Sequence, residues 1–95
     1  MAKIRRLVLD TLKPYEPSII ELADQISDLE GVAAVNISIV EIDRKVENAK
    51  ITIEGEHVNY EQISALIHDL GGAVHSIDEV VAGVRIIDDA DTLQD

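Results

Sequence analysis

The 95-residue chain contains no cysteine, no tryptophan and no phenylalanine, and it has only two tyrosines. Without cysteine it can form neither a disulfide nor a thiolate metal site, and it has no cysteine nucleophile. The scarcity of aromatic side chains argues against RNA-recognition domains, which stack bases on them. The core must therefore be aliphatic, which is sufficient because burying apolar surface stabilises by about 25 cal/mol per Å² whichever side chain supplies it.

Positive charge is also scarce, since eight lysines and arginines stand against nineteen acidic residues and the formal net charge is −11. Nucleic acid is not an expected partner, because phosphate binding depends on clustered lysine and arginine. Anionic membrane surfaces are disfavoured for the same reason. The expected partners are cations, basic proteins or further copies of the same chain.

No apolar run approaches the roughly 20 residues that a membrane span needs. The apolar segment that follows Arg5 and Arg6 stops at Asp10, which is too short for a signal peptide. We therefore expect a cytoplasmic protein.

Four segments rich in β-branched and aliphatic residues are predicted to be strands: residues 3–13, 32–46, 50–55 and 73–87. Residues 46–49 are predicted to form the turn between the second and third strands, because Asn48 tolerates a positive φ. Asp78 and Glu79 interrupt the last strand.

Two helices separate these strands. Pro17 suits the first position of a helix that ends near Leu29, and Gly31 suits a left-handed cap beyond it. Asn59 is predicted to cap the second helix, whose apolar residues recur at i, i+3, i+4 and i+7: Ile63, Leu66, Ile67 and Leu70.

The order β-α-β-β-α-β predicts an α+β domain over residues 1–87, followed by an acidic tail, residues 88–95, that is expected to fray. The segment at the end of the first helix, residues 26–31, has an echo at residues 67–72, as two βαβ halves would have. Right-handed crossovers place both helices on one face of the sheet. The predicted fold is ferredoxin-like, with a four-stranded antiparallel sheet and both helices on one face.

The sheet face without helices is the first candidate site. A turn at Asn48 would place Asp43 opposite Thr52 and Glu41 opposite Glu54. Like charges that face each other destabilise a sheet, so we expect something to offset them. These three carboxylates would offer a metal ion only oxygen ligands, which Ca²⁺ and Mg²⁺ prefer. We therefore take Glu41, Asp43 and Glu54 as a candidate site for Ca²⁺ or Mg²⁺.

Asp10, in the middle of the first strand, is placed where it can approach the same face. The alternative is an acidic face that is merely solvated, with Arg6 or Lys50 as a partner.

The second strand carries apolar residues at both odd and even positions. Val40 and Ile42 are predicted to face the helices, and Val35, Ile37 and Ile39 are predicted to face the opposite side. The strand is therefore apolar on both faces or contains a bulge. Apolarity on both faces normally means burial on both sides, and a second subunit would supply the missing cover. This pattern predicts a homo-oligomer.

His75 with Asp78 and Glu79 is a second candidate metal cluster, and its alternative is a bulge that splits the last strand. Residues 89–95 superficially resemble a calcium loop but lack its central glycine and final glutamate, so a disordered acidic end is the alternative. No nucleophile elbow or phosphate-binding glycine loop is present, and an enzyme is not expected.

Nearly the whole chain resembles a family of short archaeal proteins of unassigned function. The resemblance is carried by residues 6–10, 13–14, 41–43, 47–48, 51–55 and 75–83. It implies a ferredoxin-like fold and a homo-oligomer, for example a ring, and it allows bound divalent cations. It implies no activity.

Three functional hypotheses remain open at this point. The first is a non-catalytic, homo-oligomeric binding or regulatory module with a divalent cation and no organic cofactor. The second, suggested by the fold alone, is a sensor of a small molecule such as an amino acid or a nucleotide, or an enzyme accessory subunit. The third is a metal-dependent hydrolase that uses the same carboxylates.

Overall fold

The computed structural model describes residues 3–88 and confirms the predicted order of elements. The strands are β1 (Ile4–Pro14), β2 (Ala34–Ile42), β3 (Val46–Glu54) and β4 (Ala73–Ala82), and the helices are α1 (Ile19–Ser27) and α2 (Tyr60–Asp69). All pairings are antiparallel, and the strands lie in the order β2-β3-β1-β4. Beyond Asp88 the predicted acidic tail lies outside the described residues. Neither described helix has the length and apolarity needed to cross a membrane.

The hydrophobic core lies between one face of the sheet and both helices. Its members alternate along the two central strands and recur on the inner faces of the helices: Leu7, Leu9, Ala49, Ile51, Ile53, Leu22, Ile26, Ile63 and Ile67. Because β1 and β3 present the same parity to both helices, the helices share one face, as the ferredoxin-like fold requires. The other face, which no helix covers, is called the open face below.

The turn between β2 and β3 is not where the sequence pattern placed it. β2 ends at Ile42 and β3 begins at Val46, so the turn is formed by Asp43, Arg44 and Lys45. The Asp43 amide donates to the Val46 carbonyl at 2.9 Å, and the Asp43 carboxylate accepts from the Arg44 amide. An aspartate that bonds its own following backbone is a strong turn former, and it prevails here over the asparagine.

A bulge in β2 explains its apolar residues at both parities. The pairing with β3 shifts between Ile39 and Glu41, which leaves Val40 as the extra residue. Val35, Ile37 and Ile39 all lie opposite helix-facing residues of β3 and pack against the core. Val40 is the bulged residue and is 64% exposed, whereas Ile42 lies opposite Glu47, at the helix-facing parity as predicted, but is 63% exposed because the helices do not cover this end of the sheet. The bulge alternative is confirmed.

Both helices begin with a side-chain cap. Ser18, rather than Pro17, marks the start of α1, and its hydroxyl accepts from the Glu21 amide at 3.3 Å. The prediction that Pro17 is the first helical residue is therefore wrong. At α2 the predicted cap is confirmed, because the Asn59 side chain accepts from the Gln62 amide at 3.1 Å.

Replacing Asn59 with alanine should lower the free energy of unfolding by about 1 kcal/mol, because the Gln62 amide in the first turn of α2 loses its acceptor. Asn59→Asp is the matched control, since it retains an acceptor oxygen and should leave stability nearly unchanged. Urea denaturation followed by circular dichroism measures both. Equal losses in the two variants would contradict the capping role.

Two loops cross with almost no space between their backbones, at Gly31 and Gly55. A Cβ atom on Gly55 would lie 1.9 Å from the Gly31 carbonyl oxygen, and one on Gly31 would lie 2.1 Å from the His57 carbonyl oxygen. Gly31 also has a φ of +91°, in agreement with its predicted left-handed conformation. The crossing joins the segment after α1 to the segment after β3, and it requires both side chains to be absent.

Candidate functional site

A cavity of about 430 Å³ opens beside the β2–β3 turn, and we call it the hairpin pocket. All four strands contribute to its walls, which are lined by Asp10 and Leu12 of β1, Glu41 and Ile42 of β2, Asp43 of the turn, Val46 and Asn48 of β3, and His75 of β4. Its volume lies within the range of about 300–1,000 Å³ that is typical of small-molecule sites.

The strand register brings the centre of this pocket together. Asn48 lies directly opposite Leu12 on one side and Glu41 on the other, so three neighbouring strands present these side chains in one row. The bulge at Val40 is what gives Glu41 this position. Further along β1, the Asp10 carboxylate accepts from the Asn48 amide nitrogen at 2.7 Å.

The lining is acidic on one part and apolar on the other. Asp10, Glu41 and Asp43 contribute carboxylates, and no lysine or arginine is among the described lining residues. Lys50 lies opposite Asp10 in the register, but the described contact of the Asp10 carboxylate is with Asn48. Apolar surface comes from Leu12, Ile42 and Val46. The pocket therefore combines negative charge with hydrophobic walls.

The three predicted metal ligands do not lie together. Glu41 and Asp43 both line the hairpin pocket, whereas Glu54 lies at the far end of β3, between Ala34 and Arg6. The predicted pairings of Glu41 with Glu54 and of Asp43 with Thr52 are therefore wrong, because the true turn shifts the register. Within residues 3–88, no three histidine or acidic side chains are grouped so that they could hold a metal ion.

Glu54 has a basic partner instead. Its carboxylate lies 2.6 Å from the Arg6 guanidinium, as the alternative prediction of a partnered acidic face allowed. Arg6 also contacts Asp88 at 3.0 Å and Glu79 at 3.8 Å. Hydrogen bonds to Glu54 and Asp88 raise the pKa of Arg6 above its usual value. We conclude that Glu54 and Glu79 belong to a structural ion-pair network around Arg6.

The second predicted cluster is divided by two irregularities in β4. The pairing with β1 skips Asp78 and, nearer the start of β4, His75, so the predicted bulge is confirmed. The prediction that Asp78 and Glu79 interrupt the strand is wrong, because β4 is continuous from Ala73 to Ala82. The Asp78 carboxylate accepts from the Ser76 hydroxyl at 2.7 Å, and Glu79 lies beside Arg6. His75 instead lines the hairpin pocket with Asp10. The sequence pattern suggested the wrong acidic neighbours for this histidine because it did not locate the second bulge.

The structure also contains a buried lysine that the sequence analysis did not identify. The Lys13 side chain is 3% exposed, and its ammonium group lies 2.6 Å from the Glu47 carboxylate and 2.7 Å from the Pro14 carbonyl oxygen. The alternation of β1 could have identified it, because side chains at every second residue of a strand share a face. Lys13 follows Leu7, Leu9 and Thr11 on the face that is buried against the helices. This ion pair lies on the helix side of the sheet and supports the fold beside the pocket.

Comparison with known proteins gives two matches that cover the chain. The model of the DUF211 family, described as "Uncharacterized ArCR", matches residues 5–95. The uncharacterised protein MJ0319 of Methanocaldococcus jannaschii is 50% identical over 95 residues, which are 100% of this chain and 98% of that protein. Neither description states an activity.

Proposed function

Since this chain belongs to the DUF211 family, whose description gives no activity, we propose a function from its own site: a non-catalytic, homo-oligomeric module that binds a cation in the hairpin pocket. The observation that carries the proposal is the pocket itself, because its lining includes Asp10, Glu41 and Asp43 and, among the described residues, no lysine or arginine. In this proposed site Asp10, rather than the predicted Glu54, is the third acidic residue beside Glu41 and Asp43.

The lining chemistry favours binding over catalysis. Among the described residues its polar lining groups are three carboxylates, one amide and one histidine, and this described lining includes no serine, threonine or tyrosine hydroxyl that a base could activate. The hydrogen bond between Asp10 and Asn48 fixes two of these groups in place before any ligand arrives. A site held in this way is suited to recognising a cation by charge and shape.

The two edge strands support the oligomeric part of the proposal. On β4, Ile77 and Val80 lie opposite the core residues Leu9 and Leu7, yet they are 47% and 51% exposed. An edge that combines unpaired backbone groups with apolar side chains favours pairing with another chain.

The opposite edge of the sheet offers a complementary surface. A groove of about 400 Å³ beside β2 is lined in part by Ile20, Ala23 and Val35, and Ile20 is 79% exposed. We propose that the β4 edge of one subunit joins the β2 edge of the next. Because this contact uses two different surfaces, repeating it closes a ring when the rotation permits.

Sedimentation velocity at micromolar concentration tests the assembly. We expect a defined oligomer for the natural chain and a monomer for Val80→Glu, because the substitution places a charge in the proposed interface. Val84→Glu is the matched control, since Val84 lies beyond β4 and is 94% exposed. It should leave the oligomer intact. A natural chain that remains monomeric would contradict the proposal.

The same measurement with EDTA and then with millimolar Ca²⁺ tests a metal requirement for assembly. Because Glu54 is paired with Arg6 and lies at the other end of β3 from Asn48, the partner of Glu41, we expect the oligomer to be the same in both conditions. An oligomer that forms only with Ca²⁺ and is lost in Glu41→Gln/Asp43→Asn would instead make the cation a structural metal ion.

A further inference from the structure

Thr11 carries a polar group that the fold isolates from solvent. It lies in β1 on the helix-facing side of the sheet, and it is 0% exposed. Within the described residues, its hydroxyl oxygen Oγ1 is fully buried and has no hydrogen-bond partner. A buried hydroxyl without a partner is costly, and folded proteins usually satisfy such a group with a protein atom or with an internal water molecule.

The side chains around Thr11 on this face offer it one polar neighbour. Ala49 of β3 and Val74 of β4 lie opposite Thr11, and Leu9 comes two residues before it on the same strand. None of these three side chains can form a hydrogen bond. Lys13, two residues further along β1 on the same face, is the fourth neighbour, and its side chain is 3% exposed.

The Lys13 ammonium group has a donor that its described contacts do not use. It carries three N–H groups, and these contacts are with the Glu47 carboxylate at 2.6 Å and the Pro14 carbonyl oxygen at 2.7 Å. Residues two apart on a strand are separated by about 6.6 Å along the backbone. A water molecule with a hydrogen bond of about 2.8 Å on each side joins polar groups up to about 5.6 Å apart, which is close to this spacing.

We propose that Thr11 and Lys13 hold one internal water molecule between them. The water accepts a hydrogen bond from the ammonium group and donates one to Thr11 Oγ1. It thereby extends the ion pair of Lys13 and Glu47 into a buried polar network that reaches the centre of β1. Ala49 makes room for the water, because it places only a methyl group opposite Thr11.

The charges around the site favour water over an ion. A metal cation at Thr11 would be repelled by the neighbouring Lys13 ammonium group. An anion would add a second negative charge to a site where Glu47 already neutralises Lys13 at 2.6 Å, and that charge would be buried without a partner. Because Thr11 is fully enclosed, its ligand must be small and neutral, and it must be able both to donate and to accept a hydrogen bond.

Thr11→Val tests whether the hydroxyl has a partner, because valine has nearly the same shape without the polar group. We expect the equilibrium constant for unfolding to rise about fivefold or more, since the water loses a hydrogen bond. Thr52→Val, in the half-buried open-face position opposite Val8, is the matched control and should change the constant by no more than about twofold. A Thr11→Val protein more stable than the natural chain would show that the hydroxyl was buried without a partner, and it overturns the proposal.

Oxygen-17 relaxation dispersion of the solvent detects long-lived internal water molecules directly. Because the method observes the oxygen of water, proton exchange from the hydroxyl and ammonium groups does not contribute to the signal. We expect Thr11→Val to lose the contribution of one long-lived water, relative to both the natural chain and Thr52→Val. An equal signal from the three proteins contradicts the proposal.

A high-resolution crystal structure of the natural chain locates the water without any substitution, and it decides the matter even if Thr11→Val does not fold. We expect a water oxygen within about 3.2 Å of both Thr11 Oγ1 and Lys13 Nζ. The proposal fails if the water contacts Thr11 but not Lys13. It fails equally if the Thr11 hydroxyl bonds directly to a protein atom and no water lies beside it.

Discussion

Gly55→Ala is expected to lower the free energy of unfolding by about 4 kcal/mol or more, enough to prevent folding if the domain is marginally stable. The added methyl group would lie 1.9 Å from the Gly31 carbonyl oxygen and 3.0 Å from the Ala33 amide nitrogen. Both neighbours are backbone atoms, so no side-chain rotation relieves the clash. Thermal and urea denaturation followed by circular dichroism measure the loss.

Three glycines form a matched set for this test. Gly55 has a steric obstacle without a positive φ, Gly83 has a φ of +130° with open space around it, and Gly31 has both features. Gly83→Ala should therefore cost about 1–3 kcal/mol through backbone strain alone, and Gly31→Ala should be at least as damaging as Gly55→Ala. A Gly55→Ala protein as stable as the Gly83→Ala protein would contradict the close crossing of the two loops.

Lys13→Met is expected to destabilise the domain by about 3 kcal/mol, because it leaves the partly buried Glu47 carboxylate without its counter-charge. The Pro14 carbonyl oxygen loses its donor in the same substitution. Lys45→Met, in the exposed turn, is the control for removing a lysine charge and should change stability by no more than about 0.5 kcal/mol. Urea denaturation measures both variants.

The double variant Lys13→Met/Glu47→Leu shows whether the ion pair itself stabilises the fold. Replacing both members of a buried pair with apolar residues is often neutral, because the cost of removing two charges from water disappears with them. We therefore expect the double variant to recover most of the stability that Lys13→Met loses. A double variant that is less stable than either single variant would contradict this expectation, because the two losses would then add and the two residues would not act as a coupled pair.

The sequence predicted the fold well because most of its local signals agree. The apolar spacing of α2, the Asn59 cap and the left-handed glycine at residue 31 each report a conformation that depends on nearby residues. Such signals survive in the folded chain because the tertiary contacts do not oppose them. The order of elements and the face that carries the core followed from them.

The candidate site was predicted only in part, because it depends on register rather than on local preference. Asn48 and Asp43 are both good turn residues, and choosing the wrong one moved the expected partner of Glu41 from Asn48 to Glu54. Register in a hairpin follows from the turn, so one error changed every cross-strand pair. The bulge at Val40 was only one of two open alternatives, and the extra residue at His75 gave no local signal.

The strand order has a consequence for how the chain folds during synthesis. β1 is a central strand, but both of its partners, β3 and β4, come later in the chain. The Gly83 amide donates to the Lys3 carbonyl oxygen at 2.8 Å, so the last pairing joins the two ends of the described chain. Since long-range pairing must pay for loop closure first, β1 waits longer for β4 than for β3. Until β4 arrives, β1 presents an unpaired edge, and in that interval it is the segment most exposed to mispairing between chains.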